Sequence, residues 1–161
     1  MMSRVWRTGL ACALTDGLWA TVQTFARGQP PLSVWMRVAA TVFGPGMLTA
    51  GPAAVVVGLG VHVCVAFGAS AVFLVLLSRS AGLRRLVSRP AGLVCAAAVY
   101  GPLVWLTMSA LVIPLRTGRP LAVTGRWFTE LAGHVVFVGL PIVWAARRED
   151  GRAAPASRSV G

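Results

Sequence analysis

Lysine does not occur in this chain and acidic residues number only four, so all fifteen basic residues are arginine. Charged residues make up 12% of the 161 residues, against 57% hydrophobic, and mean hydropathy is +0.76. A soluble core cannot hide that much apolar surface, which excludes an ordinary soluble enzyme or binding domain and predicts lipid as the solvent. A net charge of +11 would point to nucleic acid in a soluble protein. Here the arginines fall between apolar stretches or at the ends, the placement of loops that fix orientation against headgroups, so no nucleic-acid partner is expected.

Cysteine is also scarce. Cys12, Cys64 and Cys95 lie far apart inside apolar stretches, without the Cys-x-x-Cys spacing of zinc or redox sites, and read as small packing residues. Catalytic signatures are missing as well. There is no Gly-x-Ser-x-Gly, no P-loop and no pair of carboxylates at an active-site spacing, so no enzyme activity is expected.

What the chain does contain is long apolar runs. A helix needs about 20 mostly apolar residues to cross the hydrocarbon, and four stretches approach this, at 8–26, 53–77, 91–115 and 128–146. The expected fold is all-α, an integral membrane four-helix bundle in one domain over 1–148, followed by a disordered tail over 149–161. Asp16 inside the first stretch argues against a cleaved signal peptide and for a retained span. Between the first two spans, Gly44-Pro45-Gly46 and Gly51-Pro52 break an uncharged segment over 38–51, which excludes a fifth span. Residues 32–43 read instead as a short interfacial helix with Trp35 at headgroup depth and Arg37 reaching water, or as a re-entrant half-helix.

Ten arginines (4, 7, 79, 84, 85, 89, 147, 148, 152 and 158) share one side of the four spans, and five (27, 37, 116, 119 and 126) share the other. The positive-inside rule then places both termini and the 78–90 loop in the cytoplasm, as in a multi-pass protein of a bacterial cytoplasmic membrane. An internal repeat is also visible. Gly9-Leu10-Ala11-Cys12-Ala13 matches Gly92-Leu93-Val94-Cys95-Ala96, and Leu59-Gly60-Val61-His62-Val63 matches Leu131-Ala132-Gly133-His134-Val135. Two similar two-helix halves would be related by an axis along the membrane normal.

Ionisable groups within a span are costly, about 3 kcal/mol upward for Asp, and nominate a polar site. Its candidate members are Asp16, Gln23, His62, Tyr100, Glu130 and His134. Asp16, Trp19 and Gln23 share a helical face that should point inward, near the depth of His62. The repeat sets His62 and His134 at equivalent positions, both about 9 to 14 Å below the outer boundary. Glu130, four residues before His134, could hold that imidazole through its carboxylate. Either these groups are polar contacts between helices, or they form a proton or ion relay. His62 and His134 could also ligate one b-type haem if they converge, but hydrogen bonding between helices is the commoner use, so no cofactor and no metal are expected. Gly58, His62, Ala66 and Ala69 form a small-residue stripe suited to close packing, and Pro102, Pro114 and Pro141 free backbone carbonyls that a neighbour must satisfy.

Residues 58–67, 100–115 and 134–142 together resemble the YagU-like class of small four-span bacterial inner-membrane proteins. The shared pattern is a Gly-x-x-x-His helix, a Tyr-Gly helix passing Met108 to Val112–Leu115, and a final His helix reaching Gly139-Leu140-Pro141. Where that pattern would carry Asn after the methionine, this chain has Ser109. The resemblance implies topology and bacterial membrane location, and no activity. The functional expectation is a structural or partner-binding membrane component, embedded in lipid and able to associate with itself or another membrane protein. The alternative is a small permeation unit using Asp16 and the histidines.

Overall fold

A computed structural model describes residues 2–153, and these form helices with no strand among them. Helix α1 spans Met2–Ala26, α2 spans Ser33–Phe43, and a 3-10 turn at Pro45–Leu48 leads into α3 at Pro52–Arg79. A short α4, Ala81–Ser88, connects to α5 at Pro90–Thr117. Helix α6 starts as Gly125–His134, passes through a π-helical segment at Val135–Gly139 and ends as Leu140–Ala153. The first residues of the segment expected to be disordered are therefore helical; the remainder, 154–161, lies outside the described residues.

Three helices, α3, α5 and α6, are long and apolar enough to cross a membrane. Helix α1 is as long as the others, but it carries Arg4, Arg7 and Asp16. Its outward face is nevertheless apolar: Leu10, Leu14, Leu18 and Val22, four residues apart, are all exposed. Exposed Val56, Leu59 and Val63 on α3 and Val99, Leu103 and Leu106 on α5 continue that surface around the molecule. A protein whose outside is this apolar belongs in lipid.

Inside, α1 packs on α3 and α6, α5 packs on α6, and α2 lies against α3. One core occupies the half of the bundle near α4 and is built from Phe73, Leu74, Leu77, Leu93, Ala97, Ile142, Val143 and their neighbours. Backbones approach closely where glycine allows it. A Cβ on Gly58 would fall 1.9 Å from the Trp35 carbonyl oxygen, and one on Gly101 would fall 2.1 Å from that of His134, so α2 docks on α3 and α5 on α6 only because these side chains are absent. The expected short helix between the first two spans is present as α2, and the Gly58 contact fixes it against α3. Trp35 is only 4% exposed, held between Gly58 and the His62 ring.

Proline at 141 has no N–H to offer the carbonyl of Phe137, four residues earlier. The hydroxyl of Thr15 on α1 donates to that carbonyl at 2.7 Å. The freed acceptor thus becomes a tie between the first and last helices. The ends of the chain are joined too, by Arg7 and Glu149 at 3.1 Å. Cysteine packs less than expected: Cys12 is buried, whereas Cys64 and Cys95 are exposed on the apolar surface.

Candidate functional site

In the other half of the bundle the helices diverge. Helix α2, 11 residues and so about 16 Å long, is too short to cross a bilayer. It wedges over the gap beside α3, and Arg116 on α5 donates to the Val42 carbonyl at its end. A cavity of about 430 Å³ remains between α1, α2, α3, α5 and α6. Its polar wall is two ladders at i, i+4 spacing, Cys12–Asp16–Ala20–Thr24 on α1 and Arg126–Glu130–His134–Val138 on α6, with His62 beside them. The opposite wall is apolar and includes Val34, Val38 and Val42 of α2 and Val104, Met108 and Val112 of α5.

The cavity is closed at one end. Past Cys12 on α1, Ala69 on α3, Val104 on α5 and Val138 on α6, each helix runs into the buried core of the other half. Tyr100 seals this boundary by donating its hydroxyl to the Ala69 carbonyl at 2.6 Å and by packing its ring on Phe73. It is a strut below the cavity and does not line it.

Two of the expected site residues meet directly. Nδ1 of His62 lies 3.8 Å from a carboxylate oxygen of Asp16, and Nε2 of the same ring donates to the Ala13 carbonyl at 3.0 Å. Gly17 leaves room for the ring, since a Cβ there would stand 3.3 Å from Nε2. A carbonyl can only accept, so Nε2 carries a hydrogen, and Nδ1 is left facing a carboxylate. At 3.8 Å, Nδ1 and the carboxylate are too far apart for a direct hydrogen bond. His134 and Glu130 lie within electrostatic reach of Asp16 as well.

The other residues depart from expectation in specific ways. His134 donates through Nδ1 to the backbone carbonyl of Glu130 at 2.7 Å, not to its carboxylate. That carboxylate instead accepts from Arg27 at 3.2 and 3.3 Å, with Arg126 at 3.7 Å. Gln23 is half-buried outside the cavity, because the inward stripe of α1 runs through Thr24 while Trp19 turns aside to stack on Phe137. The histidines are not equivalent: one ring bonds across to α1, the other within its own helix. With Nε2 of His62 on a carbonyl and Nδ1 facing Asp16, that ring has no nitrogen turned to a shared haem iron. Among the described residues, no group of three or more metal-ligating side chains occurs.

The sequence reading did not assign either tryptophan of the cavity wall to the site. Trp35 and Trp105 flank the cavity with their rings 5.0 Å from His62 and 4.9 Å from His134. Ser109 accepts a hydrogen bond from the Trp127 indole N–H at 3.3 Å. Two π-helical segments, Thr107–Val112 and Val135–Gly139, border the cavity, a local geometry that recurs at functional sites. No family model, curated protein or solved structure matches this chain.

Proposed function

We propose that this is a four-span protein of a bacterial cytoplasmic membrane, both termini cytoplasmic, that takes a small amphipathic molecule into its cavity and links its binding to the protonation of Asp16 and His62. The observation that carries this reading is the placement of a carboxylate and an imidazole, 3.8 Å apart, on the wall of a cavity whose end nearer the termini is closed by the core. The exposed leucine stripe of α1 supports the fourth span, since Asp16 and Thr24 face the cavity while Leu10, Leu14, Leu18 and Val22 face outward. The arginine count supports the orientation.

Binding and protonation are linked because an apolar group beside Asp16 displaces water from a charge, and the free energy of the charged form depends on that water. A purely structural or partner-binding role gives no reason for an ionisable pair to line a hollow; filled helix contacts would serve it better. The closed end also argues against a continuously open channel.

The test uses protein in phosphatidylcholine nanodiscs. A brominated single-chain amphiphile is titrated while Trp emission and proton release or uptake are followed. Saturable quenching that is lost in Ala20→Phe, with a proton change that is lost in Asp16→Asn, is the expected result. Quenching indifferent to Ala20→Phe would remove the cavity from the mechanism, and a proton change that survives Asp16→Asn would remove the coupling.

A further inference from the structure

We infer that the occupant is a single-tailed amphiphile with an anionic headgroup, drawn sideways from the lipid, its head held by Arg27, Arg37 and Arg126 at the cavity rim and its tail lying on the valine wall. The inference rests on the reading of the cavity as a ligand site and adds the class of ligand and its route.

Charge at the rim is the first observation. Five arginines belong to the outer half of the chain, and Glu130 is its one acidic partner at this end, the other acids being Asp16 in the cavity and Glu149 and Asp150 near the C-terminus. Arg27 and Arg126 share the Glu130 carboxylate, and Arg37 reaches the hydroxyl of Thr24 on the same rim at 3.3 Å. Burial lowers the Arg37 guanidinium from its usual pKa, and Arg126 and Arg27 lower it further, so these cations repel one another across the opening. An anion placed among them relieves that repulsion. Asp16, deeper in the cavity, repels an anion and keeps the head at the rim.

The second observation is a side entrance. A groove of about 510 Å³ runs between α2 and α3, lined by Val42, Phe43, Val57, Gly60, Val61, Cys64 and Val65, with no charged residue. Val42, Val61 and Val65 line the cavity as well. These three valines thus border both hollows, and Arg116 sits on the carbonyl of Val42. A tail can therefore pass from lipid to cavity by rotation of apolar side chains, while the arginines above capture the head. A soluble anion would have no use for the groove.

The experiment compares dibromostearate, its methyl ester and inorganic phosphate on protein in phosphatidylcholine nanodiscs, reading the quenching that disappears in Trp35→Phe/Trp105→Phe. The acid should bind about tenfold or more tightly than the ester, the loss expected when charge-assisted hydrogen bonds are removed. That preference should vanish in Arg37→Gln/Arg126→Gln and persist in Arg37→Lys/Arg126→Lys, and inorganic phosphate should not displace the acid. Equal binding of acid and ester would overturn the anionic class while leaving the cavity as a ligand site. Displacement by phosphate at matching concentration would make the rim a site for a free anion and overturn the lipid source. Absence of specific quenching by either lipid would overturn this inference together with the proposed function.

Discussion

His62 touches α1 at two points one turn apart, donating to the Ala13 carbonyl at 3.0 Å and standing 3.8 Å from the Asp16 carboxylate. The first contact is structural and the second is exchangeable, so the two should separate on mutation. Asp16→Asn should cost under about 1 kcal/mol of stability, because the 3.8 Å contact is not a direct hydrogen bond and the amide keeps the polar group in place. His62→Ala should cost about 1 to 3 kcal/mol through the lost bond and the space left beside Trp35. Unfolding in mixed micelles measures both, and a larger loss for Asp16→Asn would make the carboxylate the structural member of the pair.

Close approach at Gly58 and Gly101 gives a sharper stability prediction. Gly58→Ala and Gly101→Ala should each destabilise by about 1 to 3 kcal/mol or more, since the new methyl meets backbone and not a movable side chain. Gly60→Ala, with nothing within 4 Å of its Cβ, should be neutral or slightly stabilising. Thermal unfolding of the three variants in one detergent checks this, and similar midpoints would mean that α2 and α5 are not held as described.

Thr15 and Pro141 should be energetically coupled. Thr15→Val removes the donor to the Phe137 carbonyl and should cost about 1 kcal/mol or somewhat more. Pro141→Ala restores an N–H in the right place, so Thr15→Val should be milder in that background. A double-mutant cycle without coupling would show that the tie contributes nothing.

Topology is predicted from the arginines. A reporter fused after Arg85 or at Gly161 should be cytoplasmic, and one inserted at Gly118 should be outside. Externally labelled Gly161 would reverse the orientation, and with it the side on which the cavity opens.

Glu130 offers a further check at the cavity rim. Glu130→Gln removes the shared carboxylate, leaving Arg27 and Arg126 without its charge. Affinity for an anionic amphiphile should rise severalfold, read by the same quenching titration, because the headgroup no longer competes with a resident carboxylate. A fall in affinity would mean that Glu130 positions the guanidinium groups instead of competing for them.

The four apolar stretches at 8–26, 53–77, 91–115 and 128–146 all became long helices, because helix formation in apolar sequence is dictated by local composition and the need to satisfy every backbone group. The nomination of Asp16, His62, Glu130 and His134 was equally legible, since an ionisable residue in such a stretch stands out against its neighbours. What they touch was not. Glu130 was expected to hold His134 by its carboxylate, but Arg27, more than a hundred residues away in the chain, takes that carboxylate and leaves the backbone carbonyl to the ring.

Tertiary structure alone decided the rest. Gln23 and Thr24 are adjacent and both polar, and only the packing of α1 against α3 and α6 selects Thr24 for the cavity. That helix α2 forms a cavity wall depends on Gly58, which lets the Trp35 backbone come into contact. The sequence by itself determined the solvent, the helices and the costly residues, each a property of a short stretch. The cavity depends on where a short helix docks, on which carbonyl a proline frees and on which distant partner claims a charge. Those are contacts between segments far apart in the chain, and no local pattern encodes them.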